Sequence, residues 1–179
     1  MNAFEAGSRK VIPAVLVYLR AGGKVLMIHR ATKAEDFHAG RWNGLGGKLE
    51  PRESPAEAAR RELREEAGLD LKSERFSPRG SIYFPDFKPH KHEDWMVFIF
   101  TAQVLDRELS SIKSECDEGK LHWIEDKEVS KLNLWPGDHE FLPQVLAEGS
   151  VQGTIWYRDQ KVERVEMDLL VAANHGRRL

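Results

Sequence analysis

Hydrophobic positions along the chain fall into blocks separated by glycine, proline and charged clusters. Val11 to Leu19 is dense in Val, Ile, Leu and Tyr, which predicts a buried strand. Ala21-Gly22-Gly23 is a turn signal and Lys24 to His29 predicts a second strand, so the two read as a hairpin. Residues 31–45 read as a loop, dense in glycine toward its end. A short helix follows between Ser54 and Gly68. Residues 74–84 and 93–105 predict strands, the second carrying Trp95-Met96-Val97-Phe98-Ile99-Phe100. Pro85 to Lys91 reads as a loop, and residues 107–120 as an acidic loop ahead of a strand from Leu121 to Glu125. Helices are expected over Lys127 to Leu132 and Asp138 to Glu148. A last hairpin pairs Thr154 to Arg158 with Val162 to Leu170 around Asp159-Gln160, although Val162, Val165, Met167 and Leu169 alternate only in part. Residues 1–10 read as a leader, 11–171 as one domain and 172–179 as a frayed tail.

The helix is the best-signposted element. Ser54 suits the N-cap, Pro55 the first helical position, and Glu57 completes a capping box with Ser54. Gly68 supplies a left-handed residue to end it. On a helical wheel Ala56, Ala59, Leu63 and Ala67 form an apolar stripe of mostly small side chains, suited to close packing on a sheet. Glu62, Glu65 and Glu66 share an adjacent face. Like charges at this spacing cost roughly 0.2–0.5 kcal/mol per pair. A shared cation would remove that repulsion, and hard oxygen donors suit Mg²⁺ or Mn²⁺, which also engage substrate phosphates. The competing reading is a solvated acidic face paired with Arg60, Arg61 and Arg64. The glycine-rich approach and Glu53, just before the cap, favour the cation.

Composition narrows the field. At 179 residues with 41% apolar and 31% charged positions, the chain has an ordinary soluble balance and enough length for a real core. A net charge of −2 does not advertise a nucleic-acid binder. One cysteine, Cys116, excludes an intrachain disulfide and fits a reducing compartment. No apolar run is long enough to span a bilayer, so a cytoplasmic enzyme is expected.

The spacing of Gly47, Glu53, Arg61-Glu62-Leu63, Glu65-Glu66 and Gly68-Leu69 resembles the complete signature of the Nudix hydrolases, with every fixed position over residues 47–69 filled. Gly40-Arg41-Trp42-Asn43-Gly44-Leu45-Gly46-Gly47-Lys48, Trp135-Pro136-Gly137-Asp138 and the last hairpin are similar to segments of the MutT-like, 8-oxo-dGTP diphosphatase-like subgroup. The resemblance implies an α/β fold, an α/β/α sandwich with a central mixed β-sheet. It implies a Mg²⁺-dependent pyrophosphohydrolase, with Mn²⁺ as a substitute. The expected substrate is a purine nucleoside triphosphate, oxidised ones such as 8-oxo-dGTP included, cleaved to the monophosphate and pyrophosphate. Glu62, Glu65, Glu66 and a carbonyl of Gly46 or Gly47 are the implied metal holders, with Glu118 as a distal ligand. Glu65 or Glu118 is the implied general base. Arg61 and Glu53 would steady the loop and helix. Asn43 and Asp138 would hold the base, Trp135 and Phe37 join the substrate-binding set, and Lys48 and Arg30 would offset phosphate charge.

One position departs from the subgroup. Where it carries two consecutive acids after Trp-Pro, this chain has Gly137 and then Asp138. Losing one carboxylate from a pocket of polar pairs is expected to relax or redirect base choice. Pro85, sixteen residues beyond Leu69, lies near a proline of some ADP-ribose and nucleotide-sugar pyrophosphatases of the family. Lys88 and Lys91 would suit an RNA 5′-pyrophosphohydrolase, without a basic stripe of interleaved aromatics. A nucleotide-binding sensor is opposed by the intact acid trio. His90 and His92 form an X-His-X-His pattern that lacks a third ligand for a transition metal. The expected partner is a small nucleotide substrate, with no membrane and no stable nucleic-acid partner, and with the oligomeric state open.

Overall fold

The computed structural model describes residues 9–30 and 40–170. The first two strands, β1 (Lys10–Ala21) and β2 (Lys24–Arg30), form the expected hairpin, but they pair only beside their turn, Arg20 opposite Val25 and Ala21 opposite Lys24. Farther along, the glycine-rich segment takes over this edge of β1. Val15 N–H donates to Gly47 O at 2.8 Å and Val17 N–H to Leu45 O at 2.7 Å. The splayed hairpin thus leaves a slot that only compact backbone can fill. A two-residue strand, β3 (Trp42–Asn43), pairs with β2 just before that segment.

The chain then forms helix α1 (Pro55–Ala67), followed by the long strands β4 (Phe76–Lys88) and β5 (Glu93–Gln103). Strand β5 lies parallel to β1 from Lys10↔Glu93 to Arg20↔Gln103, and antiparallel to β4. A one-turn helix α2 (Asp106–Leu109), the short β6 (Glu115–Cys116), β7 (Gly119–Glu125), a one-turn α3 (Asp126–Val129) and α4 (Asp138–Leu146) follow. The hairpin β8 (Ser150–Arg158) and β9 (Lys161–Leu170) completes the sheet. Spatial order is β6-β7-β2-β1-β5-β4-β8-β9, with β3 beside β2, a mixed sheet.

Helices cover both faces. Ala58, Ala59, Leu63 and Ala67 of α1 pack on Val15, Val17, Leu19, Leu26 and Ile28. Phe141, Leu142 and Val145 of α4 pack on Ala14, Tyr18, Val25, Met27 and Ile155. Successive side chains of β1 point to opposite faces, so a strand buried on both sides reads as the near-continuous apolar run seen in the sequence. The α/β/α sandwich is therefore present. Among the described residues, no helix is long and apolar enough to cross a membrane.

Several expected boundaries move. The α1 stripe keeps the predicted Ala59, Leu63 and Ala67 but buries Ala58 rather than Ala56, because the helix is turned on the sheet by less than one residue's rotation. Strand β4 runs on through Pro85 and Asp86 with a register shift between Phe84 and Lys88, so the predicted loop shrinks to Pro89–Lys91 and its neighbour. A bulge tolerates a proline because the ladder is already interrupted there. The acidic stretch 107–120 is not a bare loop, since α2 and β6 lie within it. Helix α4 stops at Leu146, and β5 stops at Gln103.

Candidate active site

Helix α1 is anchored at both ends as its sequence requires. Glu57 N–H donates to Ser54 Oγ at 3.3 Å, and Ser54 N–H donates to the Glu57 carboxylate at 2.8 Å. Gly68 closes the helix at φ 74°. Between these ends the helix grips the glycine segment. Gly46 N–H donates to Glu66 Oε2 at 2.8 Å. The Glu62 carboxylate occupies the space that a Cβ on residue 47 would take, so Gly47 is needed for this close approach.

Arg61 ties the assembly together. Its Nε and one terminal nitrogen donate to the two oxygens of Glu53 at 2.8 and 2.9 Å. The other terminal nitrogen reaches Glu62 at 2.8 Å and Glu65 at 3.3 Å, and a further bond goes to the Lys48 carbonyl at 3.0 Å. Pairing with Arg61 holds the Glu53 carboxyl below its usual range, and pairing with Glu53 raises the guanidinium. The planar fork makes bonds that an ammonium cannot. Arg61→Ala would leave Glu53 and Glu62 without their cation, a loss on the order of 2–3 kcal/mol. Arg61→Lys should recover less than half of it. Chemical denaturation of the three proteins checks this order.

The acid trio divides into different environments. Glu66 is buried at 5% exposure. Burial raises its pKa, with Glu118 and Glu62 adding like charge against the opposing Gly46 N–H. Burial also raises Glu62, which Arg61 opposes. Glu118 stands in the β6–β7 turn and pairs with Arg30, so Arg30 is already engaged by a carboxylate. Glu65 is exposed and touches Arg61. Among the described residues, no three His, Cys, Asp or Glu side chains stand together as a ready-made metal cage. Arg61 and Arg30 hold carboxylates that a cage would need. The donor chemistry nevertheless fits a divalent ion: Glu62, Glu66 and Glu118 repel one another across a small distance, and all are hard oxygen donors.

A cavity of about 590 Å³ opens beside these groups. Arg30, Gly46, Gly47, Lys48, Glu62 and Glu118 line it, together with Asn43, Trp135 and Asp138. The structure thus gathers most of the sequence-predicted residues around one space. Asn43 Oδ1 is buried without a partner. Asp138, at the start of α4, is 8% exposed, and burial lifts its carboxyl to about 7 despite the Arg41 charge nearby. The Arg41 guanidinium lies 4.1 Å from the centre of the Trp135 ring and donates to the Leu134 carbonyl at 2.8 Å. That cation–π contact steadies the aromatic wall.

Phe37 lies outside the described residues. Trp42 stacks on His29 at 4.5 Å and does not line the cavity. His90 and His92 sit on a 3₁₀ turn and its left-handed cap, both exposed. The sequence reading missed Tyr157, Trp95 and Glu50, which also line the cavity. No signal in the sequence pointed to Tyr157, because the register shift that places it arises from strand pairing.

A carboxylate-bearing helix locked to a glycine loop, beside a polar and aromatic cavity, fits a hydrolase of phosphoric anhydrides. The chain belongs to the Nudix hydrolase family: the NUDIX domain matches residues 10–145. It is 31% identical over 128 residues to the mouse oxidized purine nucleoside triphosphate hydrolase, covering 72% of this chain and 77% of that one. The zebrafish protein of the same name is 31% identical over 147 residues, 82% of this chain and 87% of that one. Among solved structures, a MutT protein from Bacillus halodurans superposes with a TM-score of 0.74 at 26% identity, covering 88% of this chain and 97% of that one. Nudix hydrolases act on small nucleotide substrates and generally use divalent metal ions.

Proposed function

We propose that this protein hydrolyses a purine nucleoside triphosphate, oxidised ones such as 8-oxo-dGTP included, to the monophosphate and pyrophosphate. The observation that carries this reading is the single cavity lined by Asn43 and Asp138 as well as by Lys48, Arg30, Glu62 and Glu118. Groups suited to a base edge and groups suited to a polyphosphate share one space. The names of the mouse and zebrafish relatives agree with it.

Glu62, Glu65, Glu66 and Glu118, with a carbonyl of Gly46 or Gly47, would hold Mg²⁺ or Mn²⁺. A bound divalent ion supplies charge against phosphate oxygens and acidifies water. Glu65 or Glu118 takes the proton as water attacks phosphorus, and the anhydride bond breaks with pyrophosphate leaving. Lys48 and Arg30 offset phosphate charge, Arg30 by exchanging its bond to Glu118 for one to the substrate. Arg61, fixed by Glu53, keeps Glu62 and Glu65 in register with the glycine loop. Asn43 and Asp138 hold the base beside Trp135.

Turnover should be measured on 8-oxo-dGTP, dGTP, ADP-ribose and 5′-triphosphate RNA, with and without Mg²⁺. The expected result is fastest hydrolysis of the purine triphosphates, suppressed by EDTA and restored by excess Mg²⁺. A clear preference for ADP-ribose or RNA, or activity untouched by EDTA, would refute it.

A further inference from the structure

Gly137 stands where the family subgroup leads one to expect an acid, and its surroundings show why a glycine is there. A Cβ on residue 137 would lie 2.5 Å from the Tyr157 hydroxyl oxygen, 3.2 Å from Tyr157 Cζ and 3.3 Å from Ile155 Cδ1. No side chain fits at 137 while Tyr157 keeps its place. The Gly137 N–H instead donates to the Tyr157 hydroxyl at 2.6 Å.

Tyr157 reaches this spot because the β8–β9 ladder shifts register between Trp156 and Tyr157. A bulge of this kind re-aims a side chain. The ring is then held by aromatic neighbours, with centroids 6.1 Å from Phe84, 5.5 Å from Phe87 and 6.1 Å from Trp135. It lines the same cavity as Asn43 and Asp138. Burial raises the phenol pKa, so it keeps its proton. Its oxygen already accepts from Gly137, and among the described residues nothing accepts its proton. The group in the cavity is therefore a donor, where an ionised acid would offer only acceptors.

We infer that Tyr157 determines base specificity: its hydroxyl, seated against Gly137, donates to a carbonyl oxygen of the nucleobase and selects bases that carry one. The inference rests on the nucleotide-hydrolase reading above. It deepens that reading by naming the edge that is recognised. Asn43 Oδ1 is a buried acceptor without a partner, and it complements a ring N–H. A lactam edge, N–H beside C=O, satisfies both groups, so oxopurines and oxopyrimidines fit. A base without a carbonyl leaves the buried hydroxyl unsatisfied.

The test compares kcat/KM for dGTP with that for 2-aminopurine deoxyribonucleoside triphosphate, which keeps the purine ring and the 2-amino group but lacks the 6-oxo group and, with it, the N1 hydrogen; the Tyr157 variants isolate the carbonyl's share. The wild type should favour dGTP. Tyr157→Phe should shrink that ratio roughly 3–10-fold. Gly137→Ala, which displaces the hydroxyl, should shrink it in the same sense, and the double variant should add little more. Thermal melts confirm that each variant folds. A merely structural role would lower both kcat/KM values together and leave the ratio alone. An unchanged ratio in folded variants, or no wild-type preference for dGTP, overturns the inference while the hydrolase reading stands. Failure of the wild type to hydrolyse either nucleotide overturns both.

Discussion

Glu65→Gln and Glu66→Gln are each expected to lower nucleoside triphosphate hydrolysis by about 10²–10⁴-fold, and stability should tell the two variants apart. Glu65 is exposed, and its side chain accepts from Arg61 at 3.3 Å. Its glutamine variant should melt within a degree or two of wild type, since surface changes of this kind are worth about ±0.5 kcal/mol. Glu66 is buried beside Glu62 and Glu118, so its charge is disfavoured without a cation. Its glutamine variant can still accept from Gly46 N–H and has no ionisable carboxyl for burial to penalise. It should therefore melt higher than wild type in EDTA at pH 8, and it should lose most of the melting-temperature rise that Mg²⁺ gives the wild type. Thermal melts with and without Mg²⁺, beside initial rates, read all of this. Wild-type turnover in both variants would remove these carboxylates from the chemistry.

Asp138→Asn should strengthen the fold and weaken the enzyme. Burial lifts the Asp138 carboxyl from an ordinary 3.8 to about 7. Below pH 3.8 the acid is protonated in both folded and unfolded chains and costs nothing. Between 3.8 and 7 the unfolded chain ionises first, so stability falls as pH rises. Above 7 the penalty is complete, about 4 kcal/mol at most. The asparagine variant should thus be more stable than wild type at pH 8, and the gain should vanish toward pH 4. Denaturant titrations at the two pH values measure it. Hydrolysis should move the other way, with kcat/KM for purine triphosphates down about 10–100-fold, because a site built on polar pairs loses binding when a partner changes. A gain in stability with undiminished kcat/KM would show that Asp138 is buried for packing and not for the base. Such a trade is familiar where a functional site keeps an unfavourable charge.

What was legible beforehand was mostly local. The capping box of Ser54 and Glu57 and the glycine end at Gly68 act within a few residues, so α1 was readable to its boundaries. The hairpins around Gly22 and Asp159 depend on turn chemistry and were readable for the same reason. The family resemblance implied that Arg61 and Glu53 act together, whereas the bidentate geometry of their pair is a finding of the structure. Elsewhere, partners lie far apart in the chain. The parallel pairing of β1 with β5 joins Lys10 to Glu93, and no periodicity encodes that contact. The choice of Ala58 over Ala56 depends on the angle at which α1 meets the sheet.

The sequence by itself determined the reaction class: a glycine turn, a capped helix and its acids are short-range features, and their spacing alone carries the family signature. Tertiary structure decided what faces those acids. Asn43 follows β2, Asp138 opens α4 and Tyr157 sits on a bulge of the last hairpin, and only the sheet order β2-β1-β5-β4-β8 sets them around one cavity. The same packing explains Gly137, whose missing side chain is the space that Tyr157 occupies. Backbone caps act over a few ångströms along the chain, whereas burial and collision depend on segments brought together from afar.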